Sequence, residues 1–566
     1  MKKIPAKHLL ALLSFLVVFL ILGIPYTTIG FDSDCFGLVF FSAQIKNFYD
    51  LVLQLFKPIQ SSYVALNELT THAPEGFLTY FRPFMTLAHY ICYQVFGFNP
   101  YAYHLVNVGL HALTTSTLVY LFSEFLNCWI AFLLGLAFAF HPALTPAYVG
   151  VTSHVVPGYL FWALMLLAYL KFLKTDQQRW HLLAAFLFLL SLLCYEIVIV
   201  FPVVLLLFLV IFKYDNIIKK SYLFLIAILS YLTTRYFLLG PAAAHEQKAL
   251  ALTSLPHKII LNWHQAIKPF WGLQNASKVT TITVMTTFFY FFFMIFFQTP
   301  ERRRRFIFYV LSFFLLAWPI SLVSPDGRYF YPAIPVFTLI LYEMISHLAM
   351  LIDKSSRKDL FNLALYLKNG IALPFLLMHF IGWGIFHDRQ ALATRTFVTH
   401  QRDQAFQSIA DHYKNIPDLR LIMIGTLHCY NSDTLLMQQG MTQAARLFFK
   451  NPELEAYHVT QAKIYSIQST NCSFHIQQLA NGFRFTSPLP EKLFFMIPHA
   501  WQQETPIPFS MGTIIVHKKS APWKASDISF IFDETWLAAS DLVRTKFVTF
   551  DLNLWSFVQL ELGEKV

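Results

Sequence analysis

Charge is scarce in this chain. Only 13% of its 566 residues are Asp, Glu, Lys or Arg, against 56% apolar residues and a mean hydropathy of +0.51. So little charge excludes an ordinary soluble domain and points to a polytopic membrane protein, in which 60 Phe and 11 Trp suit surfaces that face lipid. A cleavage signal is also lacking. Met1-Lys2-Lys3 and Lys7 precede a long apolar run, but no A-x-A-like site follows Ile24-Pro25, so the run is expected to stay as a helix. No repeat of about 20–50 residues marks the tail beyond His387, which argues against a solenoid there. The net charge of +11 does not imply nucleic acid, because the cations lie in short loops between apolar runs.

About eleven runs are candidates to span a bilayer, roughly 8–30, 101–122, 128–145, 155–173, 181–195, 197–213, 221–239, 280–298, 306–323, 329–350 and 369–386. With the N-terminus inside, alternation places Lys171, Lys174 and Arg179, then Lys213, Lys219 and Lys220, then Arg302 to Arg305, then Lys354, Arg357 and Lys358 on the cytoplasmic face. That is the positive-inside pattern. The turn at Glu124 is the exception, with no basic residue of its own. An odd number of spans leaves everything after His387 outside.

The expected fold class is therefore a polytopic α-helical membrane protein of about eleven transmembrane helices over residues 1–390, with a C-terminal α/β or β-rich domain over 391–566 outside the membrane. Residues 31–100 form a large first outer loop, in which Phe84 to Phe96 is too short to cross and suits an interfacial helix. A second outer loop, 240–278, holds Trp263, Lys268 and Trp271. In the tail, Leu419 to Ile424, Ala456 to Ile467, Gly512 to His517 and Ile528 to Phe532 read as strands, with Asn481-Gly482 as a hairpin turn. Of the six cysteines, Cys128 and Cys194 fit packing roles, and Cys429 and Cys472 are candidate disulfide partners in an oxidising compartment.

Directly after the first span comes Phe31-Asp32-Ser33-Asp34-Cys35-Phe36. Two carboxylates at the mouth of a membrane helix either mark the boundary or do chemistry. Several further stretches stand in a fixed order: Tyr80-Phe81-Arg82-Pro83-Phe84, Asn99-Pro100, His104-Leu105-Val106-Asn107 with His111-Ala112-Leu113, His141-Pro142, Tyr195-Glu196 with Pro202, and Arg328-Tyr329-Phe330-Tyr331-Pro332. Together with Asp32-Ser33-Asp34 they resemble the GT-C membrane glycosyltransferases over about residues 8–390. The transmembrane O-mannosyltransferase-like branch and its bacterial relatives are the nearest in pattern. That branch carries H-P-x-H-T-E where this chain reads His141-Pro142-Ala143-Leu144-Thr145-Pro146, so the motif's acid is missing. Its K-E reads Tyr195-Glu196, and its helical tail is replaced by strands.

The resemblance implies an inverting glycosyltransferase, hexosyl or pentosyl, in a bacterial inner membrane with its site on the periplasmic face. Outside the cytoplasm a sugar donor must arrive on a lipid, here polyprenyl phosphate. The acceptor hydroxyl, on a glycolipid, polymer or protein, needs a base, and the departing phosphate needs cations. Asp32 or Asp34 is the candidate base; alignment with the family pattern permits either. Arg82, Arg328, Arg235 and Lys268 are the candidate phosphate ligands, as guanidinium suits phosphate; for Arg82 and Arg328 the alternative is headgroup anchoring. Glu196, His104 and His154 are candidate supporting residues. Glu196 could equally cap a helix. His104 and His111, seven apart on one helix face, could pack or bind a metal. No cofactor is certain, and a divalent cation, Mg or Mn, is the one the acidic pair leaves open. The rival readings are a transporter or lipid-binding scaffold without chemistry, and a degenerate GT-C relative.

Overall fold

The computed structural model describes residues 5–26, 28–31, 39, 42–56, 59–60, 79–149, 155–239, 299–323, 331–353 and 372–416, together with the strands and one helix between 418 and 560. From the N-terminus, α1 (Ala6–Tyr26) is followed by α2 (Phe48–Phe56), the short pair β1 (Ile59–Gln60) and β2 (Thr79–Tyr80), and α3 (Pro83–Phe96). Pro83 opens α3 at its first turn, where a missing N–H does no harm, and Gly97 ends it in the left-handed region at φ +56. Asn99 caps α4 (Pro100–Phe122) by accepting from the Tyr101 N–H, and Asn127 caps α5 (Cys128–Ala139) through Trp129 N–H. The expected run 128–145 is broken after Phe140. A 3-10 turn (Pro142–Leu144) and the short α6 (Thr145–Val149) follow, with His141 Nδ1 accepting from Ala143 N–H.

The bundle continues with α7 (Val155–Thr175), α8 (Gln178–Cys194), a 3-10 turn (Glu196–Val200), α9 (Phe201–Ile211) and α10 (Ile217–Leu239). After α11 (Pro300–Val323) and α12 (Ala333–Asp353) comes α13 (Ala372–Tyr413). Among the described residues, α1, α4, α7 and α10 are long and apolar enough to cross a membrane by length and composition. The outer face of α10 shows Leu225, Ile226, Leu229 and Phe237, while His104, His111, Thr114, Thr115, His141 and Ser191 are buried inside the bundle. A polar interior with an apolar exterior is the arrangement a lipid environment favours. Ser191 Oγ donates to Gly158 O at 2.7 Å, and Gly158 lets α7 and α8 approach: an added Cβ would lie 3.1 Å from that of Cys194.

At one end of the bundle, Glu124 collects Lys7 of α1 at 2.6 Å and Lys174 of α7. The turn without a basic residue of its own thus draws one from each of two neighbouring helices, and all three lie at the same end. Hydrogen bonds from Lys174 and Lys7 hold the Glu124 carboxyl below its usual range. Stability from this cluster is complete above the ordinary glutamate pKa of about 4.3 and is lost as pH falls through the depressed value. Both lysines are partly exposed, so Glu124→Gln is expected to remove about 1 kcal/mol at neutral pH. Thermal melts in detergent check this, and the gap from wild type should close below about pH 4.

Beyond the bundle the described residues form two sheets. In the first, β3 (Arg420–Met423), β5 (Glu455–His458) and β13 (Thr545–Asp551) run parallel in the order β13-β3-β5, with β14 (Ser556–Leu560) antiparallel on β13. Helix α14 (Met441–Phe448) lies in the β3–β5 connection, as parallel neighbours require a crossover. The second sheet runs β10 (Ile507–Phe509), β11 (Gly512–Ala521), β12 (Lys524–Phe532), β9 (Leu493–Met496), β6 (Gln461–Ile464), β4 (Thr426–Leu427), with the hairpin β7 (His475–Leu479) and β8 (Gly482–Thr486) attached to β12. Phe483, Phe485, Ile528, Phe530 and Phe532 fill one face, while Arg484 forms a two-pronged pair with Asp527 on the other. Helix α13 runs unbroken through residues 390 and 391, from the bundle to the first sheet, where Tyr413 Oη donates to Gln559 Oε1 at 2.5 Å and Phe406 stacks on Phe448.

Candidate active site

At the end of the bundle opposite Glu124, stretches far apart in the chain meet. Arg82, at the start of α3, donates from Nε to Glu196 Oε2 at 2.9 Å and from Nη2 to Oε1 at 2.6 Å. Its guanidinium lies 5.4 Å from the centre of the Tyr195 ring. Tyr195 meets Tyr159 edge to face, and Tyr159 stacks on Tyr331 at 4.6 Å with the rings nearly parallel. Tyr331 Oη is hydrogen-bonded to His111 Nδ1, so His111 Nε2 has the Ala139 carbonyl at 3.0 Å as its partner. A face of the His111 ring stacks at 4.6 Å on Tyr148, whose hydroxyl donates to Asp388 at 2.6 Å. Thr145 also donates to Asp388. The result is one continuous buried wall of aromatic rings with an ion pair at one end and a carboxylate at the other.

Arg82 and Glu196 are the charged part of the wall. Burial pushes the Glu196 carboxyl up, but the Arg82 charge and hydrogen bonds, helped by Arg235, outweigh this and leave it below the usual range. Glu196 therefore stays ionised throughout the neutral range. The pair's stabilisation is present above the ordinary glutamate pKa and is lost only as pH falls through the depressed value. Glu196 stands inside the 3-10 turn that follows Tyr195 and uses both carboxylate oxygens on Arg82, so it does more than cap a helix. Arg82→Lys keeps the charge but not the fork. If Arg82 serves a transfer reaction, as proposed below, Arg82→Lys should lower its rate 10-fold or more, on the order of 1.4 kcal/mol or more, with expression and fold unchanged by circular dichroism.

His104 and His111, expected on one helix face to pack or to bind a metal, have different partners. His104 Nε2 is 3.2 Å from the Gly30 carbonyl, at the foot of the acidic stretch. His111 faces Tyr331 and Ala139 instead, so the two rings share a helix face but serve separate hydrogen bonds. Among the described residues no group of His, Cys, Asp or Glu is clustered for a metal ion. Arg235, on α10, is half-exposed and acts on Glu196 through its charge. Asp32, Asp34, His154, Lys268, Arg328, Cys429 and Cys472 lie outside the described residues. Cys128 and Cys194 are free thiols.

Sequence reasoning missed Tyr148, Tyr159 and Asp388 of this wall. The signal for Asp388 was a lone acid at the end of the last apolar run, the same signal that singled out Asp32 at the end of the first.

Arg82 opens, and Arg235 nearly closes, a segment with known relatives. Residues 82–236 match a mannosyltransferase family. The family is described as dolichyl-phosphate-mannose-protein mannosyltransferase, and the match takes in Arg82, His111, Tyr195, Glu196 and Arg235. Similar proteins include the protein O-mannosyl-transferase TMTC2 of Homo sapiens, 40% identical over 110 residues, covering 19% of this chain and 13% of that protein. TMTC1 of Mus musculus is 35% identical over 100 residues, 17% of this chain and 10% of that protein. The chain thus spans only a small part of the length of these curated relatives. Among solved structures, ArnT from Cupriavidus metallidurans bound to undecaprenyl phosphate aligns over 82% of this chain and 95% of its own, at 11% identity and a TM-score of 0.45.

Proposed function

We propose that this chain is an inverting membrane glycosyltransferase. It moves one sugar from a polyprenyl-phosphate-linked donor to an acceptor hydroxyl at the mouth of the bundle. The observation that carries the reading is the convergence of Arg82, His111, Thr145, Tyr195, Glu196 and Tyr331 on one wall, five of these from stretches that resemble the GT-C pattern and most from the segment that matches the mannosyltransferase family.

The chemistry requires three parts. A carboxylate, Asp32 or Asp34, takes the acceptor's proton. The acceptor oxygen then attacks the anomeric carbon from the face opposite the phosphate, so configuration inverts as the carbon–phosphate-oxygen bond breaks. The leaving group is a phosphate monoester carrying one more negative charge than the donor, and Arg82, Arg235, Arg328 and Lys268 supply the cations that stabilise it. Two hydrogen bonds to Glu196 orient the Arg82 guanidinium, which limits the reorganisation needed as that charge develops.

The experiment is release of free polyprenyl phosphate from a panel of lipid-linked sugars in membranes containing wild type, Asp32→Asn or Asp34→Asn at matched expression. Release by wild type that one Asn variant loses supports the reading. A wild type that binds the lipid yet releases nothing from any donor would favour a scaffold.

A further inference from the structure

Helix α13 lays one stripe of residues along the site end of the bundle. Gly384 meets the backbone of Phe140 directly: an added Cβ would fall 1.8 Å from the Phe140 carbonyl oxygen. One turn later, Asp388 accepts from the Thr145 and Tyr148 hydroxyls. Two turns beyond, Thr396 Oγ1 lies 3.3 Å from Thr28 Oγ1, and Thr399 Oγ1 accepts from the Gly30 N–H at 3.2 Å. The stripe continues through Arg402 and Phe406 into the C-terminal sheets.

Asp388 is the unusual member. It is 3% exposed, and among the described residues its hydrogen-bond partners are the two hydroxyls. A buried carboxylate held only by neutral donors is an expensive way to dock a helix, and a leucine would dock it more cheaply. Its location is informative. Thr145 is followed by Pro146, where the related motif carries its acid, and Asp388 delivers a carboxylate to that same Thr145 from 243 residues away in sequence. Tyr148 in turn lies between Asp388 and His111, whose Nδ1 meets Tyr331.

We propose that Asp388 is a positioning residue of the transferase site. It fixes the Tyr148 ring and, through that ring, His111 and Tyr331. The inference rests on the proposed transferase activity for its kinetic readout, but not for its structural one. Asp388 acts through its acceptor oxygens. Asparagine keeps one such oxygen in place and removes the charge; alanine removes both.

The test compares wild type with Asp388→Asn and Asp388→Ala in the full chain. Two quantities are measured: transfer from a polyprenyl-phosphate sugar, and the rate of oxidative cross-linking of a Thr28→Cys/Thr396→Cys pair. With alanine, kcat is expected to fall about 10-fold or more while KM for the lipid donor stays within about twofold, and cross-linking slows. With asparagine, kcat is expected within about threefold of wild type and cross-linking unchanged. Alanine with wild-type kcat overturns the proposal. Asparagine as inactive as alanine also overturns it, since the charge would then act in the chemistry itself. Equal cross-linking in all three chains overturns it whether or not sugar is transferred. A wild type silent with every donor removes the transferase reading, while slowed cross-linking in the alanine variant alone would still uphold the positioning.

Discussion

Asparagine in place of the base carboxylate is expected to cut sugar transfer by about 100- to 10,000-fold, with KM for the lipid donor nearly unchanged. Asparagine matches aspartate in shape and still offers one acceptor oxygen, so binding survives; its amide cannot take a proton, so the acceptor hydroxyl has to attack unassisted. The two acids differ in what their loss should do. Under the proposed mechanism, losing the base, Asp32 or Asp34, removes the chemical step, and losing its neighbour removes at most the local field that tunes it. A divalent cation shared by both would make the two variants similarly inactive, and chelation would then silence wild type until Mg or Mn was returned. If both asparagine variants match an active wild type, neither carboxylate is the base. The measurement is release of free polyprenyl phosphate at matched expression, followed across donor concentration so that kcat and KM separate.

Local signals were the ones legible in the sequence. The span expected over 101–122 is α4, and its start lies close to that reading because the Asn99 cap and the Pro100 at N1 act within one turn. The tail hairpin was visible too, although its loop falls one residue earlier than the Asn481-Gly482 reading: Leu479 pairs with Gly482, leaving Ala480 and Asn481 between the strands. Gly482 serves the sheet instead, because an added Cβ would lie 1.9 Å from the Phe530 carbonyl oxygen. The same logic explains the run 128–145, which hydropathy reads as one span. His141 and Pro142 turn the chain there, a local event inside an apolar stretch that an average cannot register. Contacts between distant residues were not legible. Nothing in single-chain spacing brings Lys7 to Glu124, Tyr331 to His111 or Asp388 to Thr145, since each depends on which helices pack side by side. Glu196 shows the intermediate case: its position and charge marked it, but only packing identified Arg82 as its counter-ion.

Valine at position 384 is expected to unlatch α13 from the bundle. Gly135 faces the Val119 side chain, which can rotate away, but Gly384 faces the Phe140 carbonyl oxygen at 1.8 Å and its carbon at 2.9 Å. Backbone cannot rotate aside, so any Cβ must push the two helices apart, and a branched one must push farther. The expected loss is about 3 kcal/mol, seen as a lower melting temperature in detergent and faster proteolysis of the α13 segment. Gly382→Ala, two residues earlier, is the matched control. An added Cβ there meets nothing within 4 Å, so removing a helical glycine should leave stability unchanged or raise it by up to about 1 kcal/mol. The effect on the site follows from the same contact. The neighbouring Ala139 carbonyl faces His111 Nε2, and His141 begins the turn that carries Thr145 to Asp388. Moving α13 away from Phe140 therefore disturbs the Tyr148–His111–Tyr331 arrangement from both ends. Transfer activity should fall in Gly384→Val even at temperatures where the protein remains folded. If that variant melts like wild type, then α13 does not sit against Phe140, and the account of Asp388 as a positioning residue falls with it.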